Sequence, residues 1–235
     1  MRFEDRKNNQ LRPVKITKNF LNKVSTSVLI EFGNTKVLCG ASFESKQPPF
    51  LINTSKGWVT AEYSMLPLST DQRVGRERGK VGGRTQEIQR LIGRSLRAIT
   101  DLEKLNKYSI TVDCDVLQAD GGTRTASITG AYISLSILFN EMLEKGLLTE
   151  NPLKDSVAAI SVGIIDSHAY LDLDYSEDSK AEVDMNFVLT GDGGIIEVQG
   201  TAETKPFNKE MLDQMYNLAF EACNQLKDIQ KYSIG

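Results

Sequence analysis

Asp113-Cys-Asp-Val-Leu-Gln-Ala-Asp-Gly-Gly-Thr-Arg-Thr-Ala-Ser-Ile-Thr-Gly-Ala131 is the stretch from which the fold and the chemistry can be read. Residues 108–117 alternate, with Ile110, Val112, Cys114 and Val116 on one side and Thr111, Asp113 and Asp115 on the other. Period-two alternation predicts a half-buried strand. Gly121 and Gly122 then break the pattern and permit a tight backbone bend. A helix is expected to follow, running to about Lys145. A glycine loop leading into a helix presents unpaired N–H groups at the positive end of the helix dipole, where an anion binds. Arg124 adds a planar, permanently charged fork suited to phosphate oxygens. The spacing is neither that of a Walker loop nor that of a dinucleotide fingerprint, and the plain alternative is a turn with a solvated arginine.

Outward from this stretch, residues 27–32 and 35–43 read as strands, and Gly33-Asn34 between them is a two-residue hairpin turn. Residues 57–66 (GWVTAEYSML) form another strand, and 70–83 a Gly- and Arg-rich loop expected to be mobile. In 85–99, Ile88, Leu91, Ile92 and Leu96 fall on one helical face, with Arg90, Arg94 and Arg97 as a neighbouring stripe. Strands are expected at 157–165 and 169–173, a hairpin over 185–199 around Gly191-Asp-Gly-Gly194, and a final amphipathic helix over 208–231. The strand-strand-helix order occurs twice, which predicts two similar halves packed as a two-layer α+β unit. No low-complexity linker divides residues 1–235, so a single domain is expected.

With 40% apolar and 25% charged residues, the composition is that of a soluble globular protein. No apolar run reaches the roughly 18 residues of a membrane span. The polar N-terminus MRFEDRKNNQLRP lacks the apolar segment of a secretory signal. Cys39, Cys114 and Cys223 have no metal-ligand spacing and are odd in number, which predicts reduced thiols in a cytoplasm. His168 is the single histidine, which excludes paired-histidine ribonuclease chemistry and His-rich metal sites; its place in 166–169 predicts a surface turn.

Charge is segregated although the net is only −3. Residues 71–97 hold eight basic residues, seven of them arginine, against three acidic ones, whereas 151–203 hold eleven acidic residues against two lysines. Arginine in preference to lysine favours phosphate recognition. The plain alternative is two solvated faces of opposite sign. Within 172–184, Asp172, Asp174, Glu177, Asp178, Glu182 and Asp184 crowd together. Such a set suits a hard divalent cation such as Mg²⁺, or is simply a charged surface loop. A basic track, an anion loop and an acidic cluster together point to phosphoryl transfer on nucleic acid.

Residues 57–67, 83–97 and 113–131, together with Leu171-Asp-Leu-Asp-Tyr-Ser-Glu-Asp178, Asp184-Met-Asn186 and Gln199-Gly-Thr-Ala-Glu203, resemble the motifs of the ribonuclease PH family, in order along the chain. The resemblance implies the ribonuclease PH fold, with pseudo-repeated ββαβα-type halves. It implies a phosphorolytic 3′→5′ exoribonuclease, a tRNA nucleotidyltransferase trimming tRNA precursors and other RNA 3′ ends. Inorganic phosphate is then the co-substrate, nucleoside 5′-diphosphates the products, and the reaction reversible. The family's phosphate site falls on Arg84 and on Gly122, Thr123 and Arg124, and its metal or acid carboxylates on Asp178 and Asp184. Its RNA-binding loop falls on Arg73, Arg76 and Arg78, and Arg90 and Arg97 are expected to extend that track. Mg²⁺ is the implied cofactor, and the implied assembly is a homohexameric ring of three dimers. Glu177 and Glu182 are read as solvated neighbours outside the site. One departure is that 6–13 lack the Asp-Gly-Arg that often precedes Leu-Arg-Pro in this family. Two competing readings are a non-catalytic RNA-binding ring subunit of the exosome type, and a small-molecule phosphotransferase dependent on nucleoside triphosphates.

Overall fold

A computed structural model describes residues 2, 5–77 and 79–235. The expected α+β architecture is present as two sheets and four helices. The first sheet contains β1 (Val14–Lys18), β2 (Val28–Phe32), β3 (Thr35–Glu44), β4 (Trp58–Met65) and β5 (Ser109–Gln118), in the order β1-β2-β3-β5-β4. The second contains β6 (Val157–Ile165), β7 (His168–Leu171), β8 (Val183–Thr190) and β9 (Ile195–Ala202), in the order β7-β6-β8-β9. The helices are α1 (Gly83–Ala98), α2 (Thr123–Glu144), the single turn α3 (Tyr175–Asp178) and α4 (Lys209–Ile234).

The expected hairpin at 33–34 closes β2 onto β3, pairing Phe32 with Thr35, and Gly33 takes φ +54°. β4 and β5 run parallel, so α1 is the crossover that parallel pairing requires. The halves each set a sheet beside a long helix but differ in topology: the first sheet has the parallel pair crossed by α1, whereas every pairing in the second is antiparallel and its intervening helix is the single turn α3. β6, an inner strand of its sheet, is buried along nearly its whole length, which explains its largely apolar sequence.

α2 is buried on almost every side and packs against both sheets, so it shows no amphipathic stripe. Its small polar residues are satisfied by backbone. Thr129 Oγ1 donates to Ala159 O and accepts from Ala159 N, and Ser134 Oγ donates to Thr26 O. At Gly130 a Cβ would come within 2.7 Å of Ile30 and 2.9 Å of Cys39 Sγ, so glycine sets how closely α2 approaches β2 and β3. The buried apolar residues of both halves form one continuous cluster. Cys39, Cys114 and Cys223 are free and buried within it. No helix among the described residues is long and apolar enough to cross a membrane.

Candidate active-site cleft

A cleft of about 1090 Å³ lies beside the Gly121–Gly122 loop. It is lined by Arg73 and Arg84, by Asp120 to Arg124, and by Tyr175, Asp178, Asp184 and Asn186. The first structural reason is the anion loop. Gly121 and Gly122 both have positive φ, +75° and +65°, and Gly122 is the N-cap of α2 without a side chain to cap it. The N–H groups of the first turn of α2 therefore face the cleft without a side-chain cap. A Cβ at Gly121 would collide with the backbone of Leu173 and Asp174, so glycine lets the anion loop and the acidic loop lie against each other.

α1 starts at Gly83, two residues before the helical periodicity predicts, which puts Arg84 in its first turn. Arg124 likewise occupies the first turn of α2. Neither helix has an acidic residue there. A cation at the positive end of a helix dipole is unfavourable by itself. Two such placements on one cleft wall make sense when an anion supplies the missing charge.

Arg124 is held in place. Its Nη1 donates to Gln199 Oε1 at 2.7 Å and lies 3.7 Å from Glu87, while Gln199 Nε2 donates to Glu87 Oε1 at 3.1 Å. This joins α1, α2 and β9 at the site. Arg84 has no ion pair or hydrogen bond among the described residues, so its charge is free to meet a ligand. Thr123 is positioned by Tyr63, whose buried hydroxyl is 2.9 Å from Thr123 Oγ1. Burial raises the Tyr63 pKa and keeps it a neutral hydrogen-bonding partner.

Asp178 ends α3 and Asp184 is the second residue of β8, so the turn between them brings both carboxylates to the cleft. Desolvation raises the pKa of Asp178. Asp184 is pushed up to about 6, first by burial and then by the charge of Asp178. Among the described residues no three His, Cys, Asp or Glu side chains cluster as a metal site. Two desolvated carboxylates, one of which raises the proton affinity of the other, nevertheless fit Mg²⁺, which binds through one or two carboxylates plus water and phosphate oxygens.

The raised Asp184 pKa is also a stability statement. The folded protein holds this proton more tightly than the unfolded chain, so stability falls as pH rises from about 4 through 6 and the full cost persists above that. Asp184→Asn is expected to stabilise the metal-free protein by up to about 3 kcal/mol at pH 8, since each tenfold gain in proton affinity on folding corresponds to ~1.36 kcal/mol. At pH 4 the gain should disappear. Urea titrations at the two pH values check this, and equal stability of variant and wild type at pH 8 would contradict it.

A buried ionic clamp holds the acidic loop. Arg12, 2% exposed, donates from Nε and Nη2 to Asp172 at 3.0 and 2.7 Å, and from Nη1 to the carbonyl of Asp120. One guanidinium thus grips both the anion loop and the acidic loop. Burial opposes its charge, but Asp172 holds the Arg12 pKa above the ordinary value. Asp174 and Glu177 form a capping box on α3, and Glu177 takes ion pairs from Arg2 at 2.6 Å and Arg6 at 3.4 Å. Glu177 is therefore a buried structural residue, not the solvated neighbour expected from sequence. The N-terminal stretch that departs from the motif it resembles still supplies the clamp. Asp172→Asn, which leaves Arg12 buried and unpaired, is expected to cost about 3–5 kcal/mol. Urea denaturation measures it, and a loss below about 1 kcal/mol would contradict the clamp.

The basic track is divided. Arg73 lines the cleft, and Arg76 and Arg90 are exposed outside its lining. Arg78 lies outside the described residues. Arg97 is not brought to the cleft: its guanidinium sits 4.4 Å over the Trp58 ring and donates to Val59 O at 2.8 Å, fastening α1 to β4. Arg94 is engaged by Glu197 at 2.7 Å. The arginine stripe is thus partly a fold contact. Sequence reasoning also passed over Gln199, Tyr63 and Arg12, whose roles depend on contacts distant in the chain. His168 is exposed beside the two-residue turn at 166–167, with Nδ1 2.7 Å from Asp166 O.

Comparison with known proteins gives consistent results. The family model of the 3′ exoribonuclease family, domain 1, matches residues 10–138, and that of its domain 2 matches 155–222. The two stretches correspond to the two sheets. Rrp46 of rice (Oryza sativa) is similar with a TM-score of 0.78 and 18% identity, over 99% of each chain. A chain of the Archaeoglobus fulgidus exosome with RNA bound to the active site is similar with a TM-score of 0.80 and 21% identity, over 97% of this chain and 91% of that one. A chain of an archaeal exosome core matches with a TM-score of 0.77 and 19% identity, over 97% and 90%. At these identities the likeness is one of fold.

Proposed function

The chain belongs to the 3′ exoribonuclease family, and from that premise we propose that it is a phosphate-dependent 3′→5′ exoribonuclease acting on RNA 3′ ends, tRNA precursors among them. The observation that carries this reading is the convergence of Arg84, the Gly122–Arg124 helix start, Asp178 and Asp184 on one cleft. Cations at uncapped helix starts would also serve a subunit that only holds RNA, but such a subunit has no need of a carboxylate pair facing them.

In this reading inorganic phosphate sits against the first turn of α2, between Arg84 and Arg124. Both arginines offset its repulsion from the phosphodiester and orient one of its oxygens at the phosphorus of the terminal nucleotide. The new P–O bond forms as the bond to the penultimate 3′ oxygen breaks, leaving a nucleoside 5′-diphosphate and a shortened RNA. The departing oxygen needs a proton. Asp184, with its pKa raised to about 6, is the carboxyl best suited to hold and deliver one. In the alternative arrangement both Asp178 and Asp184 are ionised and would hold Mg²⁺, which when bound supplies positive charge at the phosphodiester oxygens in place of that proton. The proposal includes a cytoplasmic setting and a ring of six copies; chains of exosome assemblies share the fold.

The test is a 3′-extended RNA incubated with the protein and Mg²⁺, with and without phosphate. Diphosphates released only with phosphate support the proposal. RNA that is bound but intact under both conditions favours the non-catalytic exosome-type subunit instead.

A further inference from the structure

The cleft contains an apolar feature that phosphate chemistry does not use. Tyr175 is 63% exposed, although it is a large aromatic residue on the cleft wall. It lies three residues before Asp178 on α3, so the two share a helical face with Cβ atoms roughly 5–6 Å apart. Its ring has no aromatic or cation partner among the described residues. Its backbone is nevertheless fixed to the site: Tyr175 N donates to Asp120 Oδ1 at 3.2 Å, and Asp120 adjoins Gly121 in the anion loop. The capping box and the ion pairs of Glu177 secure the rest of the turn. Leu68, 80% exposed, and Val74 line the same cleft.

An uncovered aromatic side chain on a backbone fixed beside a phosphate site and a carboxylate pair fits a planar ligand carrying a phosphodiester. We propose that Tyr175 is a stacking platform for a nucleobase of RNA, that of one of the two nucleotides flanking the bond to be cleaved. The phosphodiester lies between the anion loop and the carboxylates, and the ring one turn from Asp178 is within reach of a base attached to either side. Stacking on a π-face tolerates every base, so the platform would hold any sequence in register without reading it. The inference rests on the proposed RNA substrate and adds to it the group that positions the base.

The test uses the full chain and binding without phosphate, so no turnover is needed. Fluorescence anisotropy compares wild type, Tyr175→Phe and Tyr175→Ala on a short oligoribonucleotide, and on the same RNA made abasic at its last or its penultimate residue. Tyr175→Ala is expected to weaken binding about 5- to 150-fold, the range for loss of one base–aromatic stack. Tyr175→Phe should bind as wild type does. At one of the two positions the abasic RNA should cost wild type the same factor and cost Tyr175→Ala nothing further. Undiminished binding by Tyr175→Ala, or losses that multiply at both positions, would overturn the platform. A wild type that shows the stacking pattern but yields no diphosphate with phosphate and Mg²⁺ would sink the catalytic reading and leave the platform standing. Diphosphate release with multiplying losses would remove the platform alone.

Discussion

Asp178→Asn and Asp184→Asn are each expected to lower phosphorolytic turnover by about two to four orders of magnitude, the scale of a positioned acid or base, while RNA binding persists. Each substitution keeps the size of the side chain and removes its charge and its ionisable proton. Asp184→Asn makes the sharper test because stability and activity should move in opposite directions. Relief of a desolvated carboxylate beside Asp178 stabilises the folded chain at neutral pH. An inactive but more stable variant cannot owe its inactivity to unfolding. Turnover numbers together with denaturation midpoints at pH 8 check both halves. Full activity in either variant would assign that carboxylate to the surface.

Arg84→Ala and Arg124→Ala should each depress activity about 10²–10³-fold, as loss of one preorganised charge contact does. The defect should be concentrated in the dependence on phosphate concentration. The two are not equivalent. Arg84 has no hydrogen-bond or ion-pair partner among the described residues, so its loss removes ligand contact and the positive charge that favours the ionised forms of Asp178 and Asp184. Arg124 also balances Glu87 and Gln199, and its removal leaves that pair on the cleft wall without their cation. Arg124→Ala should therefore be the more damaging, and Arg84→Lys should recover more activity than Arg124→Lys, because a lysine cannot replace the fork that meets Gln199. Initial rates across a phosphate series measure this. An unchanged phosphate response in both alanine variants would remove them from the phosphate site.

What was legible in the sequence follows from the range of the forces involved. Strand β5, the Gly-Gly bend and α2 were readable because alternation, positive-φ glycines and helix starts are local signals. The face of α1 carrying Ile88, Leu91, Ile92 and Leu96 was equally plain. β1 was missed, since five residues with weak patterning form a strand only because β2 lies beside them. The parallel pairing of β4 with β5 was also not visible, because it depends on where α1 carries the chain. At the site, the family motifs named residues that the fold does gather into one cleft. Sequence could not separate the arginines that face it from those, such as Arg97 and Arg94, that are spent on Trp58 and Glu197. Glu177 was misjudged for the same reason, since its partners Arg2 and Arg6 lie more than 170 residues away along the chain.

The most direct measurement follows a label from phosphate into product. The protein is incubated with unlabelled RNA, Mg²⁺ and radiolabelled inorganic phosphate, and the released nucleotides are separated and cleaved between their phosphates. Attack by phosphate on the terminal phosphodiester predicts nucleoside diphosphates with all of the label in the β position and none in the α. Unlabelled monophosphates, released at the same rate whether or not phosphate is present, would show that water is the nucleophile and contradict the account.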